Sequence, residues 1–177
     1  SWEGNFKKGK RYGHEFWYEN GQKSWESNWK GGRLNGQKGW HKNGQLSYEG
    51  PRGMGCKDGV FKEWHDNGQL SHEGNWKEGK EDGPDRAWYE NGQKKHERNW
   101  KEEKKDGVFK EWYENGQISH EGHWKMGYKD GVFKSWYEDG QQSLEENFKE
   151  GKDEGIKKAW YKNGQKKHEG NWKDYFK

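Results

Sequence analysis

The sequence predicts an all-β fold, an elongated single-layer antiparallel array of β-hairpins with no helix of consequence, and three observations carry that prediction. An Asn-Gly-Gln or Asp-Gly-Gln triplet recurs seven times, in steps of 23 residues once and 24 residues five times. A fixed period of this length marks a repeat array, whose units bury apolar surface only against their neighbours. The second observation is the Asn-Gly pair itself, the strongest short hairpin signal when it stands between strand-forming runs. Third, the glycine-broken unit does not sustain apolar residues at three- and four-residue spacing, so it cannot present an amphipathic helical face.

Each element can be justified from the stretch Asp106 to Lys129. Val108 to Tyr113 is rich in β-branched and aromatic residues and reads as the first strand. It runs into Glu114-Asn115-Gly116-Gln117, where a type I′ turn requires positive φ at both Asn115 and Gly116. Ile118 to Lys125 is the return strand, and a second glycine turn follows at Met126-Gly127. Counting outward from a two-residue loop pairs Tyr113 with Ile118, Trp112 with Ser119, Glu111 with His120, Lys110 with Glu121 and Phe109 with Gly122. Lys110 then faces an acid, and Phe109 can lie across a bare glycine.

The same turn is expected at Asn20-Gly21, Asn43-Gly44, Asn67-Gly68, Asn91-Gly92, Asp139-Gly140 and Asn163-Gly164. A glycine opens each first strand, at Gly13, Gly36, Gly59, Gly83, Gly107, Gly131 and Gly155. Those glycines place the units at 13–35, 36–58, 59–82, 83–106, 107–130, 131–154 and 155–177, after a half unit at 1–12. The opening segment, Ser1 to Lys7, matches the second half of a repeat, so the chain is expected to begin mid-unit, as a processed protein, a fragment or only the ordered part of something longer would.

Tryptophan stands three residues before every turn Asn or Asp: Trp17, Trp40, Trp64, Trp88, Trp112, Trp136 and Trp160. An aromatic also falls on the return strands, as Phe6, Trp29, Trp76, Trp100, Trp124, Phe148 and Trp172, with Arg52 as the exception. With two strands per unit, equivalent rings lie roughly 10 Å apart, and the second column falls between them to form a stacked spine. The Trp column is therefore read as structural. The neighbouring column, with Tyr18, Tyr89, Tyr113, Tyr137 and Tyr161, points to the opposite face in this register and is the better candidate for contact with a partner.

Composition agrees with a repeat array. Only 25% of residues are hydrophobic and 37% are charged, which argues against a conventional two-layer core. Disorder does not follow, because aromatics make up 17% of the chain and 14 of them are Trp. The formal net charge is +3 with both signs interleaved, which leaves no nucleic-acid footprint. The single cysteine, Cys56, excludes an intrachain disulfide and a Cys-based metal site. No apolar run reaches membrane-spanning length, and no signal-peptide pattern opens the sequence.

Candidate chemistry is sparse. His72, His96, His120 and His168 form one column, each followed by Glu. Metal ligands converge on one ion at about 2 Å, whereas column neighbours in a regular array stand roughly 10 Å apart, so no shared metal is expected. No repeat carries an outlying nucleophile and base, Cys56 beside Lys57 reads as a drifted residue, and the glycines punctuate turns without preceding a helix. No catalytic residue, cofactor or metal is expected.

The stretches WYENGQ at Trp17 to Gln22, Trp88 to Gln93 and Trp112 to Gln117, their variants WHDNGQ, WYEDGQ and WYKNGQ, and the following E-G-x-W/F-K run resemble the MORN-repeat variant. Arg52, Pro51 and Glu103, the last where a turn Gly is expected, depart from the pattern. The resemblance implies a twisted antiparallel sheet of successive hairpins. It also implies roles in scaffolding, dimerisation and phospholipid headgroup contact, or antitoxin-like and cell-surface roles in bacterial arrays. The function expected is a non-enzymatic structural or interaction module that uses an extended aromatic-rich β surface to bind a protein partner or to self-assemble, in a cell-surface or extracellular setting rather than a cytoplasmic one. Open edge strands and Tyr175-Phe176 offer end-to-end contact. The alternatives are an antitoxin-like protein that neutralises a toxin, and binding of carbohydrate, choline or lipid headgroups through exposed Trp and Tyr.

Overall fold

The computed structural model describes residues 2–7, 10–30, 33–51 and 58–172; Arg52, Cys56, Lys57, Tyr175 and Phe176 lie outside them. Among the described residues every regular element is a strand. The chain divides into two compact units, Ser1–Glu81 with Glu90–Gly92 and Asp82–Tyr89 with Gln93–Lys177. The first is an antiparallel meander of β1 (Trp2–Lys7), β2 (Lys10–Trp17), β3 (Lys23–Lys30), β4 (Arg33–Trp40), β5 (Leu46–Gly50), β6 (Gly59–Trp64) and β7 (Leu70–Lys77).

The second unit continues the pattern by itself. It holds most of β8 (Lys80–Trp88), then β9 (Lys94–Lys101), β10 (Lys104–Lys105), β11 (Gly107–Trp112), β12 (Ile118–Lys125) and β13 (Tyr128–Lys129). β14 (Gly131–Trp136), β15 (Gln142–Lys149), β16 (Lys152–Asp153), β17 (Gly155–Trp160) and β18 (Lys166–Trp172) complete it. The two-residue strands are the beginnings of first strands, cut off by one residue. Asp106, Asp130 and Glu154 donate their N–H to Asn99, His123 and Asn147 at 2.9, 2.9 and 2.8 Å, and the next residue is a glycine at positive φ. Gly13 and Gly36 differ from the expectation: they lie inside β2 and β4 without positive φ, because they precede their Trp by four residues and not five.

The Asn-Gly turns differ from the two-residue, type I′ expectation. At the Asn-Gly turns only the glycine has positive φ, as at Gly116 (φ 84) and Gly140 (φ 84). Gly116 N–H bonds Tyr113 C=O at 2.9 Å and Tyr113 N–H bonds Gln117 C=O at 2.8 Å. This is a three-residue loop, a type I turn closed by a left-handed glycine. Trp112 therefore pairs with Ile118 and not with Ser119, and Tyr113 closes on Gln117 and not on Ile118. A bulge at Ser119 then restores the expected pairs of Glu111 with His120, Lys110 with Glu121 and Phe109 with Gly122.

Among the described residues a two-residue turn with positive φ at both positions stands at the other end of the hairpins, at 78–79, 102–103, 126–127 and 150–151. Lys125 pairs with Tyr128 across Met126 (φ 52) and Gly127 (φ 88), and Glu78-Gly79 and Glu150-Gly151 repeat the geometry. At Glu102-Glu103 a carboxylate residue takes the glycine's place at φ 64. A left-handed conformation costs a non-glycine residue about 1–2 kcal/mol. Glu103→Gly is accordingly expected to raise the unfolding free energy by about 1 kcal/mol, read from the urea midpoint of the full chain.

Strand alternation gives the sheet two unlike faces. One carries Lys110, Glu121 and their equivalents, a column of Lys or Arg facing a column of Glu from Lys38 onward, with Glu15 opposite Glu26 as the exception. Lys38–Glu49, Lys62–Glu73, Arg86–Glu97 and Lys158–Glu145 close at 3.4, 3.2, 3.1 and 2.9 Å. These pairs are partly exposed, so solvent screening leaves each of them little net contribution to stability. Composition on the opposite face varies. The position of Glu111 holds Glu63, Ala87, Ser135 and Ala159, and that of Gly122 holds Ser27, Gly74, Arg98 and Glu146. Among the described residues the buried hydrophobics are only Ala87 and Phe133, as a single layer requires.

Candidate functional surface

The turn triplet is a connector between successive repeats. Asn115 Oδ1 accepts the N–H of Gln117 at 2.9 Å, shaping its own turn, while its Nδ2 donates to Glu138 C=O of the next repeat at 2.8 Å. Asn20, Asn43 and Asn67 make the same forward bond to Lys42, Asp66 and Glu90. Each Gln then packs over the next turn's glycine: a Cβ on Gly68 would lie 2.8 Å from Gln45 Oε1, and one on Gly92 would lie 2.6 Å from Gln69 Oε1. Asp139 has no amide to donate. Asp139→Asn is expected to restore a bond to the Lys162 carbonyl, the equivalent acceptor, and to stabilise the chain by about 0.5–1 kcal/mol in thermal or urea unfolding.

The tyrosine column joins this ladder. Tyr18, Tyr89, Tyr113 and Tyr137 donate their hydroxyls to the carbonyls of Trp40, Trp112, Trp136 and Trp160 at 2.6–2.8 Å, and His41 Nε2 occupies the equivalent place 2.9 Å from Trp64 C=O. Their rings are half-buried, whereas Tyr161 is 49% exposed. Burial, helped by Glu114 and Glu111, pushes the Tyr89 hydroxyl above the ordinary tyrosine value. The stability this group contributes is present below the unfolded value of about 10 and is lost as pH rises through the higher folded one. Unfolding midpoints are expected to fall from about pH 9 to about pH 11, less steeply in Tyr89→Phe.

On the variable face of the second unit the rings pack edge to face. Phe109 meets Trp124 at 6.4 Å and 77°, Trp124 meets Phe133 at 5.8 Å and 89°, and Phe133 meets Phe148 at 5.4 Å and 85°. Lysines lie between the rings. Lys105 Nζ is 4.8 Å from the Trp124 centroid and 5.5 Å from Phe109, and Lys129 Nζ is 4.4 Å from Phe148 and 4.9 Å from Phe133. Burial, reinforced by Arg98, pushes the Lys105 amine below the usual lysine range. Gly122 is covered most closely by the Phe133 ring of the next repeat, although Phe109 is its register partner. The Trp column stands beside the turns, half-buried, with Lys23 over Trp40 and Lys94 over Trp112, each at 5.5 Å.

Next to the rings runs a polar chain. His96 Nε2 is 3.3 Å from Asp85, His96 Nδ1 is 3.3 Å from Arg98 Nη2, and Arg98 reaches Glu111 Oε1 at 3.2 Å. Glu111 Oε2 lies 3.6 Å from His120 Nδ1, so His96 and His120 are linked through a guanidinium and a carboxylate. Both His120 contacts, to Glu111 and to Ser119 Oγ at 3.2 Å, fall on the same ring nitrogen, which is not the geometry of a base relay. An open depression of about 200 Å³ is lined by Phe109, Trp124 and Phe133 together with Glu111, His120 and Glu146.

Phe109, Trp124 and Phe148 were named from the sequence, but Phe133 and the lysines between the rings were not. The available signal was Gly-Val-Phe at 59–61, 107–109 and 131–133, two residues beyond an opening glycine.

Glycines, tryptophans and side-chain ladders that all serve one repeated hairpin define an all-β hairpin-repeat protein. The MORN repeat variant model matches residues 57–78, 105–126, 129–150 and 153–174, and the chain belongs to that family. No curated protein matches it. The family is a non-catalytic repeat module, generally associated with contacts to proteins and membranes.

Proposed function

We propose that this chain is a non-enzymatic interaction module that binds a protein partner through its variable, aromatic-rich face. One observation carries the reading: from Lys38–Glu49 onward the Lys–Glu face keeps its basic–acidic pairs, with Glu15 opposite Glu26 as the exception, while the opposite face changes at the positions of Glu111 and Gly122. A constant face builds the sheet, and a changing one is where distinct contacts are made. Aromatic rings beside Arg98, with carboxylates near them, have the composition of a protein contact surface.

Placing a benzophenone amino acid at position 120, where the side chain is 49% exposed, tests this. Irradiation in an extract of the native host is expected to crosslink a protein partner. The same group at Val132, also 49% exposed but on the Lys–Glu face, is expected not to. Crosslinking at neither position, or equally at both, would defeat the reading.

A further inference from the structure

We infer that the hairpin tip Met126-Gly127-Tyr128 is a self-association knob, seated in the groove beside the same tip of a second copy of this chain. The inference rests on the reading above that the protein is an interaction module, and it adds a surface on a different part of the molecule.

The two-residue turns of the other repeats carry charge: Glu78-Gly79-Lys80, Glu102-Glu103-Lys104 and Glu150-Gly151-Lys152. Among the described tips, only this one replaces both charges with large apolar side chains. Met126 is 53% exposed and Tyr128 is 60% exposed, the latter the most exposed large hydrophobic of the described chain. Backbone geometry does not require the exchange, because Glu78 and Glu150 adopt the same φ as Met126 within a few degrees, at 51, 50 and 52. An apolar pair projected into water on this turn therefore needs a reason outside the fold.

The tip has a receptacle beside it. Tyr128 leans over the neighbouring Gly151, where a Cβ would lie 2.9 Å from Tyr128 Cδ1. Between the two tips is an open groove of about 590 Å³, lined by Lys125, Met126, Tyr128, Asp130, Lys149 and Glu150. Its rim holds two cations and two carboxylates. That balance argues against an anionic membrane or a nucleic acid, both of which select net positive charge. It suits a surface with the same balance. In a two-fold arrangement each knob enters the other copy's groove while each rim lysine meets a rim carboxylate. An aromatic and a methionine at the centre of a charged rim have the anatomy of a binding hot spot. The contact is small, so the dimer is weak.

Sedimentation velocity on the full chain, from about 10 µM to about 1 mM, reads the association directly. The wild type is expected to show a reversible monomer–dimer equilibrium. M126E/Y128K converts the tip to the Glu-Gly-Lys sequence that neighbouring turns already fold with, and is expected to weaken dimerisation by at least about tenfold. A monomer throughout the range, or a double variant that dimerises like the wild type, overturns the proposal. Co-sedimentation with neutral phosphatidylcholine vesicles adds a second arm: binding by a monomeric wild type that the double variant loses would give the tip to a lipid surface and also overturn it. Crosslinking from position 120 is read separately. Its persistence in a chain that does not dimerise removes the knob alone, whereas its loss in a chain that dimerises removes the partner-binding face alone.

Discussion

Phe133→Ala is expected to lower the unfolding free energy by about 3 kcal/mol, at the lower end of what removing a buried aromatic costs. The ring is 8% exposed in a sheet with no second layer to repack around the loss. It stands edge-on to Trp124 at 5.8 Å and to Phe148 at 5.4 Å, carries the Lys129 ammonium on its face and covers Gly122. Its removal uncovers backbone in two strands at once and separates two halves of the aromatic row. Phe133→Leu keeps most of the bulk but loses the edge-to-face geometry, and is expected to cost only about 1 kcal/mol. Equal losses in the two variants, measured by urea unfolding, would show that the ring acts through volume alone.

Gly116→Ala is expected to cost about 2 kcal/mol through two separable effects. The backbone stands at φ 84, which an L-residue adopts at a cost of about 1–2 kcal/mol. In addition, the new Cβ would meet the Oε1 of Gln93, the side chain that the preceding repeat lays over this turn. In a Gln93→Ala background the steric part disappears and only the conformational part remains, so the penalty is expected to shrink to about 1 kcal/mol. An unchanged penalty in that background would mean that Gln93 yields freely and that the turn is set by φ alone.

The period and the turn residues made the hairpin array readable in advance, because a sheet of identical units needs the same glycine and the same ring at the same place. Outer register pairs such as Lys110 with Glu121 followed from counting alone. The pairs next to the turn did not, since Asn-Gly fits both a two-residue and a three-residue loop, and the choice is settled by Tyr113 closing on Gln117 and by the bulge at Ser119. Asn115 looked like a turn former, and its second bond, forward to Glu138, depends on the spacing of neighbouring hairpins, which a single unit cannot reveal. The packing of the aromatic row was hidden for a similar reason: Phe133 reaches Gly122 of the preceding repeat, a contact between repeats. Met126 and Tyr128 were visible as residues, but their exposure follows only from the tight turn that projects them.

The forward bonds all run in one direction along the chain. Tyr113 and Asn115 hold backbone of the repeat that contains Trp136, and Tyr137 holds that of the repeat containing Trp160. Damage to a turn is therefore inherited by the repeat that comes after it, as in a zip whose every tooth is gripped by the one before. Asp139 leaves one grip unmade, so the repeat containing Trp160 is held by Tyr137 without the amide that usually stands beside it.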